Sequence, residues 1–101
     1  MTAYLIVRAT VEGDAREKFD RWYETEHLPD AKAAFGVAVA ERGWSAIDPA
    51  VHSAIYQFED LRAAQDMIAS DAMKVLVDEF DRAWPTGVTR TREVIEIVQR
   101  L

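Results

Sequence analysis

The chain has 101 residues, of which half are hydrophobic and 30% charged, with 18 acidic against 12 basic side chains for a net charge of −6. That length makes one domain with a modest core, spanning residues 1–101. The acidic balance, with no basic patch, argues against nucleic acid as a partner, and the absence of cysteine excludes a disulfide scaffold, a thiol nucleophile and any thiolate metal site.

In chain order, AYLIVRATV (Ala3–Val11) is rich in branched residues and predicts a first strand. Its apolar run is too short for a signal peptide or a membrane span, so a cytoplasmic location and no membrane partner are expected. Asp14 lies three residues before Glu17 in a capping-box-like spacing and predicts a helix running to about His27. Pro29 disfavours helical geometry at Leu28, so DAKAAFG should form a separate turn or two closed by Gly36. VAVAERGWSAI reads as a second strand, Asp48–Ala50 as a turn and VHSAIYQFE as a third strand. Asp60 can cap a helix over LRAAQDMIAS. Ser70 or Asp71 can cap its continuation, which places Met73, Leu76, Val77, Phe80 and Trp84 on one face before Pro85. TRTREVIEIVQ closes the chain as a fourth strand.

The order β-α-β-β-α-β is the ferredoxin-like pattern of an α+β domain: a four-stranded antiparallel sheet with two helices on one face. Taking the first and third strands as parallel neighbours puts Tyr4, Ile6 and Arg8 beside His52, Ala54, Tyr56 and Phe58. Leu5, Val7 and Ala9 would then share the other face with Val51, Ser53, Ile55 and Gln57. Two helices cover only one face, and the bare one would expose an apolar patch. A homodimer pairing the sheets back to back would bury it.

Phe19, Trp22, Tyr23, Glu26 and His27 fall on one helical face, so an apolar stripe ends in an acid and an imidazole. Where helix and sheet diverge, such a rim suits a small-molecule cleft. His27 can move a proton near neutral pH, Glu26 can orient it, and Tyr23 can donate to a developing enolate or phenolate oxygen. If the sheet face bearing His52 and Tyr56 looks toward the helices, Tyr4, Arg8 and Phe58 join the same pocket, with Arg8 placed for a carboxylate or phenolate. Plainer explanations compete with each of these. His27 in a last helical turn is favoured by the helix dipole, and His52 can be a satisfied half-buried group. The tryptophans and Phe80 fit core or dimer contacts, and Arg90 and Arg92 fit a solvated edge strand. No HxH, HxxxH or HExxH spacing occurs, so no metal site is expected. The four isolated glycines form no phosphate loop, and GxSxG is absent.

The segment WYETEHLPDAKAAFG (Trp22–Gly36) resembles the W-Y-x-x-E-H-x-P stretch of EthD-like members of the dimeric α/β-barrel superfamily. That resemblance implies two ferredoxin-like subunits packed sheet to sheet, a pocket between each sheet and its helices, and His27 as acid/base with Glu26 and Tyr23 beside it. The superfamily's plant polyketide cyclases look similar in the third strand at His52. Their first-strand histidine is Tyr4 here, and their second-helix tyrosine and histidine align with Met67 and Met73. The asparagine of its cofactor-independent monooxygenases has no counterpart, since the chain contains none. The expectation is a lyase or isomerase without cofactor, acting by proton transfer on a small aromatic, lactone or polyketide-like compound. His27, Glu26 and Tyr23 would be catalytic, and Trp22, Tyr4, Arg8, His52, Tyr56 and Phe58 would bind substrate. The alternative is a non-catalytic binder or accessory protein for a small hydrophobic ligand.

Overall fold

A computed structural model describes residues 1–101. Strand β1 (Ala3–Val11) is followed by a 3-10 turn at Gly13–Ala15. Helix α1 (Arg16–Trp22) starts without a side-chain cap, so Asp14 sits within the preceding turn instead of capping the helix. After α1 comes a π-helical turn, Tyr23–His27, and then helix α2 (Leu28–Phe35). The predicted break at Pro29 does not occur. Residues 16–35 form one continuous helical rod with a widened turn in the middle. The Leu28 N–H donates to the Tyr23 carbonyl, five residues back. Proline lacks the N–H that an α-turn would use and crowds the carbonyl four residues earlier, and a wider turn accommodates both. The rod ends at Gly36, which takes the left-handed conformation (φ 66°) and donates to the Lys32 and Ala33 carbonyls.

Strand β2 (Ala40–Trp44) is shorter than predicted and joins β3 (Val51–Phe58) through a loop in which Ser45 Oγ accepts from the Ile47 and Asp48 amides. Helix α3 (Leu61–Ile68) is capped by Asp60, which accepts from the Ala63 amide at 2.8 Å. Helix α4 (Asp71–Ala83) is capped by Ser70, and strand β4 (Val88–Glu96) completes the sheet.

The strand order is β2-β3-β1-β4 and every pairing is antiparallel. The parallel pairing expected for β1 and β3 is therefore wrong. The helical crossover makes β2 run parallel to β1, and the β2–β3 hairpin then turns β3 against both. The register sets Leu5 opposite Tyr56, Val7 opposite Ala54 and Ala9 opposite His52. The helix-covered face thus carries Ala3, Leu5, Val7 and Ala9 with His52, Ala54, Tyr56 and Phe58. Tyr4, Ile6 and Arg8 lie on the bare face with Val51, Ser53, Ile55 and Gln57.

Phe19, fully buried, is the hub of the core. Its ring centroid lies 5.2 Å from those of Tyr23 and His52, 5.4 Å from Trp84 and 6.0 Å from Phe80. No helix is long and apolar enough to cross a membrane.

Candidate functional site

A cavity of about 250 Å3 opens between the α1–α2 rod, α4 and the sheet. Its walls include Tyr23, His27, Ala31 and Phe35 from the rod, Tyr56 from β3, Met73, Leu76 and Phe80 from α4, and Arg90 and Arg92 from β4. The π-turn decides which residues of the rod look inward. At about 100° per residue, Glu26 would share the face of Phe19 and Tyr23. A turn closed by bonds to the fifth residue back advances less per residue. His27 accordingly comes round under Tyr23 and is buried, at 7% exposure, while Glu26 is carried outward into solvent.

His27 stacks on Trp22 (centroids 4.5 Å apart, rings 15° from parallel) and meets the edges of Tyr23 at 5.0 Å and Phe80 at 5.5 Å. It also borders a second, outward-facing recess formed with Trp22, Glu26, Asp30, Glu79 and Arg82. The imidazole is thus a partition between an apolar interior and a carboxylate-rich exterior. Burial, reinforced by the charge of Arg90 and only partly offset by Asp30, pushes its pKa from the usual 6.5 down to about 4, so it is neutral at pH 7. The helix-end explanation of His27 fails, because the rod continues to Phe35 and leaves no terminal dipole at this residue.

Tyr23 touches both imidazoles, its ring centroid 5.0 Å from that of His27 and 4.5 Å from that of His52. Burial pushes its hydroxyl up to about 12, against the opposing effects of the Tyr56 hydroxyl and the charges of Arg90 and Arg42. Tyr56 is pushed up as well, chiefly by burial and then by Tyr23. Both phenols are therefore protonated donors at neutral pH.

The remaining predicted site residues are placed elsewhere. His52 is fully buried but does not border the cavity; it packs behind Tyr23, against Phe19 and Trp44. Arg42 Nη1 lies 3.3 Å from His52 Nε2 and donates to Asp20 at 2.8 Å, and the Trp44 indole N–H also donates to Asp20 at 2.8 Å. Arg42, then Trp44, hold the Asp20 carboxyl below its usual pKa. Since Arg42 can only donate, Nε2 of His52 accepts and the proton sits on Nδ1, which has no partner among the surrounding rings. Burial, and next the charge of Arg42, push His52 down to about 4 as well. Phe58 packs near Phe35 (5.9 Å) and borders a separate recess beside β2. Trp22 and Glu26 belong to the outer recess. Tyr4 and Arg8 are on the bare sheet face, where Arg8 pairs with Glu93 at 2.7 Å. Of the nine predicted residues, the cavity gathers Tyr23, His27 and Tyr56. No three His, Asp or Glu side chains converge to hold a metal ion.

Neither a protein-family model nor a curated protein sequence matches the chain. Solved structures do. An EthD family protein from Bacillus halodurans C-125 superposes with a TM-score of 0.74 at 16% identity, over 97% of this chain and all of that one. A variant of SnoaB, a cofactor-independent oxygenase from Streptomyces nogalater, gives 0.67 at 19% identity over 99% and 96% of the two chains. Protein Atu4242 from Agrobacterium tumefaciens gives 0.71 at 18% identity over 93% and 91%. The chain has their fold. That fold is the one implied by the resemblance seen in Trp22–Gly36.

Within this fold, the cavity has one wall that the sequence did not announce. Arg90 and Arg92 do lie on an edge strand, and Arg92 is exposed as expected, but their pairing with Ala9 and Val7 of β1 puts both on the helix-covered face, where Arg90 is partly buried. Arg90 lays its guanidinium 3.9 Å over the Phe80 ring and pairs with Asp81 at 3.0 Å. The available signal was the alternation itself: Val88, Arg90, Arg92 and Val94 share one parity, and the two valines mark the face that packs.

Proposed function

We propose that the cavity binds a small, largely apolar compound and that His27 moves a proton on it. The protein would then be a cofactor-free lyase or isomerase working through enolisation of an aromatic, lactone or polyketide-like substrate. The observation that carries this reading is a neutral, buried His27 that shares the wall of a mostly apolar cavity with two protonated phenols, Tyr23 in contact with it and Tyr56 on β3, while it also borders a carboxylate-lined recess.

A neutral imidazole can accept a proton from a carbon next to a carbonyl. The enolate oxygen that develops would be stabilised by donation from Tyr23 or Tyr56, whose high pKa keeps them protonated. Arg90 favours the same negative charge from the β4 side. The imidazolium formed in so dry a setting is a strong acid and returns its proton readily, either to another carbon of the enolate or outward past Glu26 and Asp30. In this reading Glu26 serves the proton from the outer side and does not touch the substrate. His52, through its packing on Tyr23, positions that phenol.

The test is solvent deuterium incorporation into a panel of lactones and hydroxyaryl ketones, followed by NMR. His27→Gln should lower the exchange rate by about two orders of magnitude or more. Unchanged exchange in that variant would remove His27 from the mechanism. The second reading, a binder without catalysis, is favoured by the low pKa of the free imidazole, which is below the optimum for a base at neutral pH. It predicts saturable binding with no exchange above the uncatalysed rate.

We also propose that two copies pair through the bare sheet face. Ile6 and Ile55 lie opposite one another there beside Tyr4, and Ile95 is 39% exposed on the neighbouring strand.

A further inference from the structure

The chain has six more negative than positive charges, yet the cavity has no carboxylate in its wall and two arginines. That contrast is local and built by the fold. The β1–β4 register places Arg90 and Arg92 one pleat repeat apart on the covered face, opposite the short side chains of Ala9 and Val7. Arg90, its side chain 24% exposed, sits with its guanidinium carbon 3.9 Å over the Phe80 ring and is tied to the largely exposed Asp81 by one guanidinium nitrogen. A guanidinium has five N–H donors, so this single ion pair leaves most of its fork free. Arg92 has no ion-pair partner. The positive charge also reaches the chemistry, since Arg90 acts on both His27 and Tyr23.

We propose that the compound bound in the cavity carries a carboxylate, held by Arg90 and Arg92 at the β4 edge, with a planar apolar body lying among Phe35, Tyr56, Leu76 and Phe80. The proposal rests on the cavity being the ligand site and adds what distinguishes its ligand. Planar arginine forks match carboxylate geometry, and the partial burial of Arg90 strengthens its bonds, while Arg92 is exposed and adds a weaker contact. Phe80 supports Arg90 from below by cation–π contact, so the fork is ordered before the ligand arrives. The cavity volume, about 250 Å3, lies under the range usual for drug-sized ligands and fits one ring or two fused rings. Binding an anion beside Arg90 would offset part of the charge that depresses His27. The imidazole would therefore become a better base when the right ligand is present.

The experiment compares acids with their neutral isosteres on the 101-residue chain. Benzoate, cyclohex-1-ene-1-carboxylate and 2-naphthoate are titrated against the corresponding primary amides by calorimetry, with NMR shifts of His27 and Tyr23 reporting occupancy. At least one acid should bind about tenfold or more tighter than its amide, and added salt should narrow the gap. Arg90→Gln and Arg92→Gln should each reduce the preference and the double variant should abolish it, with melting curves checking that each stays folded. Arg90→Lys, which keeps the charge and loses the fork, should fall between. If acids and amides bind alike, or the preference survives in the double variant, the carboxylate subsite is overturned while His27 chemistry on a neutral ligand stands. If neither series shifts His27 or Tyr23, the subsite and the reading of the cavity as a ligand site both fall.

Discussion

His27 and His52 are both neutral because burial removes the water that would stabilise an imidazolium. The same fact has a consequence for stability. In the unfolded chain each titrates near 6.5, and in the folded protein each resists protonation until about pH 4. Between those values the unfolded state binds more protons, so stability is full above about pH 6.5 and falls as the pH drops toward 4. By pH 5 the loss is about 2 kcal/mol per histidine, and urea unfolding at pH 7 and pH 5 should show it. His52→Gln should shrink the difference between those two pH values by about half. An unchanged difference would mean that His52 is solvated. Phe19, fully buried among six aromatic rings, gives a second check. Phe19→Ala should cost about 3–5 kcal/mol by leaving a void under Tyr23 and His52, read from the denaturation midpoint.

At the scale of elements, caps and turn residues were legible where a local rule acts alone. Asp60 and Ser70 cap α3 and α4 as their types predict, and Gly36 supplies the left-handed turn that ends the rod. Asp60→Ala should accordingly cost about 1 kcal/mol of stability and leave the cavity signals unmoved. The failures arose where two elements had to be related. A fixed α-helical period put Glu26 and His27 on one face, and the π-turn over Tyr23–His27 separates them. Pro29 was the available hint, but it reads equally as a helix break. Alternation within a strand assigns parity and says nothing of which parity on β1 meets which on β3. Tyr4 and Arg8 were misplaced for that reason. Arg90 and Arg92 share the parity of Val88 and Val94, which marks their face, but that Arg90 lies over a ring depends on Phe80, from a separate helix.

For the whole molecule, the element order alone specified the architecture, because two helices and four short strands with these connections have few ways to bury one face. It also left a face uncovered. Tyr4, Ile6 and Ile55 are only half-buried there by their own neighbours. A two-fold partner would bury them, and light scattering at micromolar concentration should give twice the mass of the 101-residue chain. Ile6→Lys with Ile55→Lys should return it to the monomer. A clean monomer for the unaltered protein would remove the sheet-to-sheet dimer. If pairing occurs, each cavity still lies wholly within one subunit on the helix-covered side, so ligand binding should survive dissociation.

These scales meet in His27, whose burial depends on the π-turn, the aromatic packing and the cavity together. The most direct measurement is its pKa by NMR titration, with His27→Gln and His52→Gln variants assigning the two imidazole signals, run with and without the carboxylate panel. A value well below 6.5, near 4, that rises when one acid binds would place a neutral imidazole at the wall of a working anion-binding cavity. A value near 6.5 that no compound moves would contradict the site at its centre.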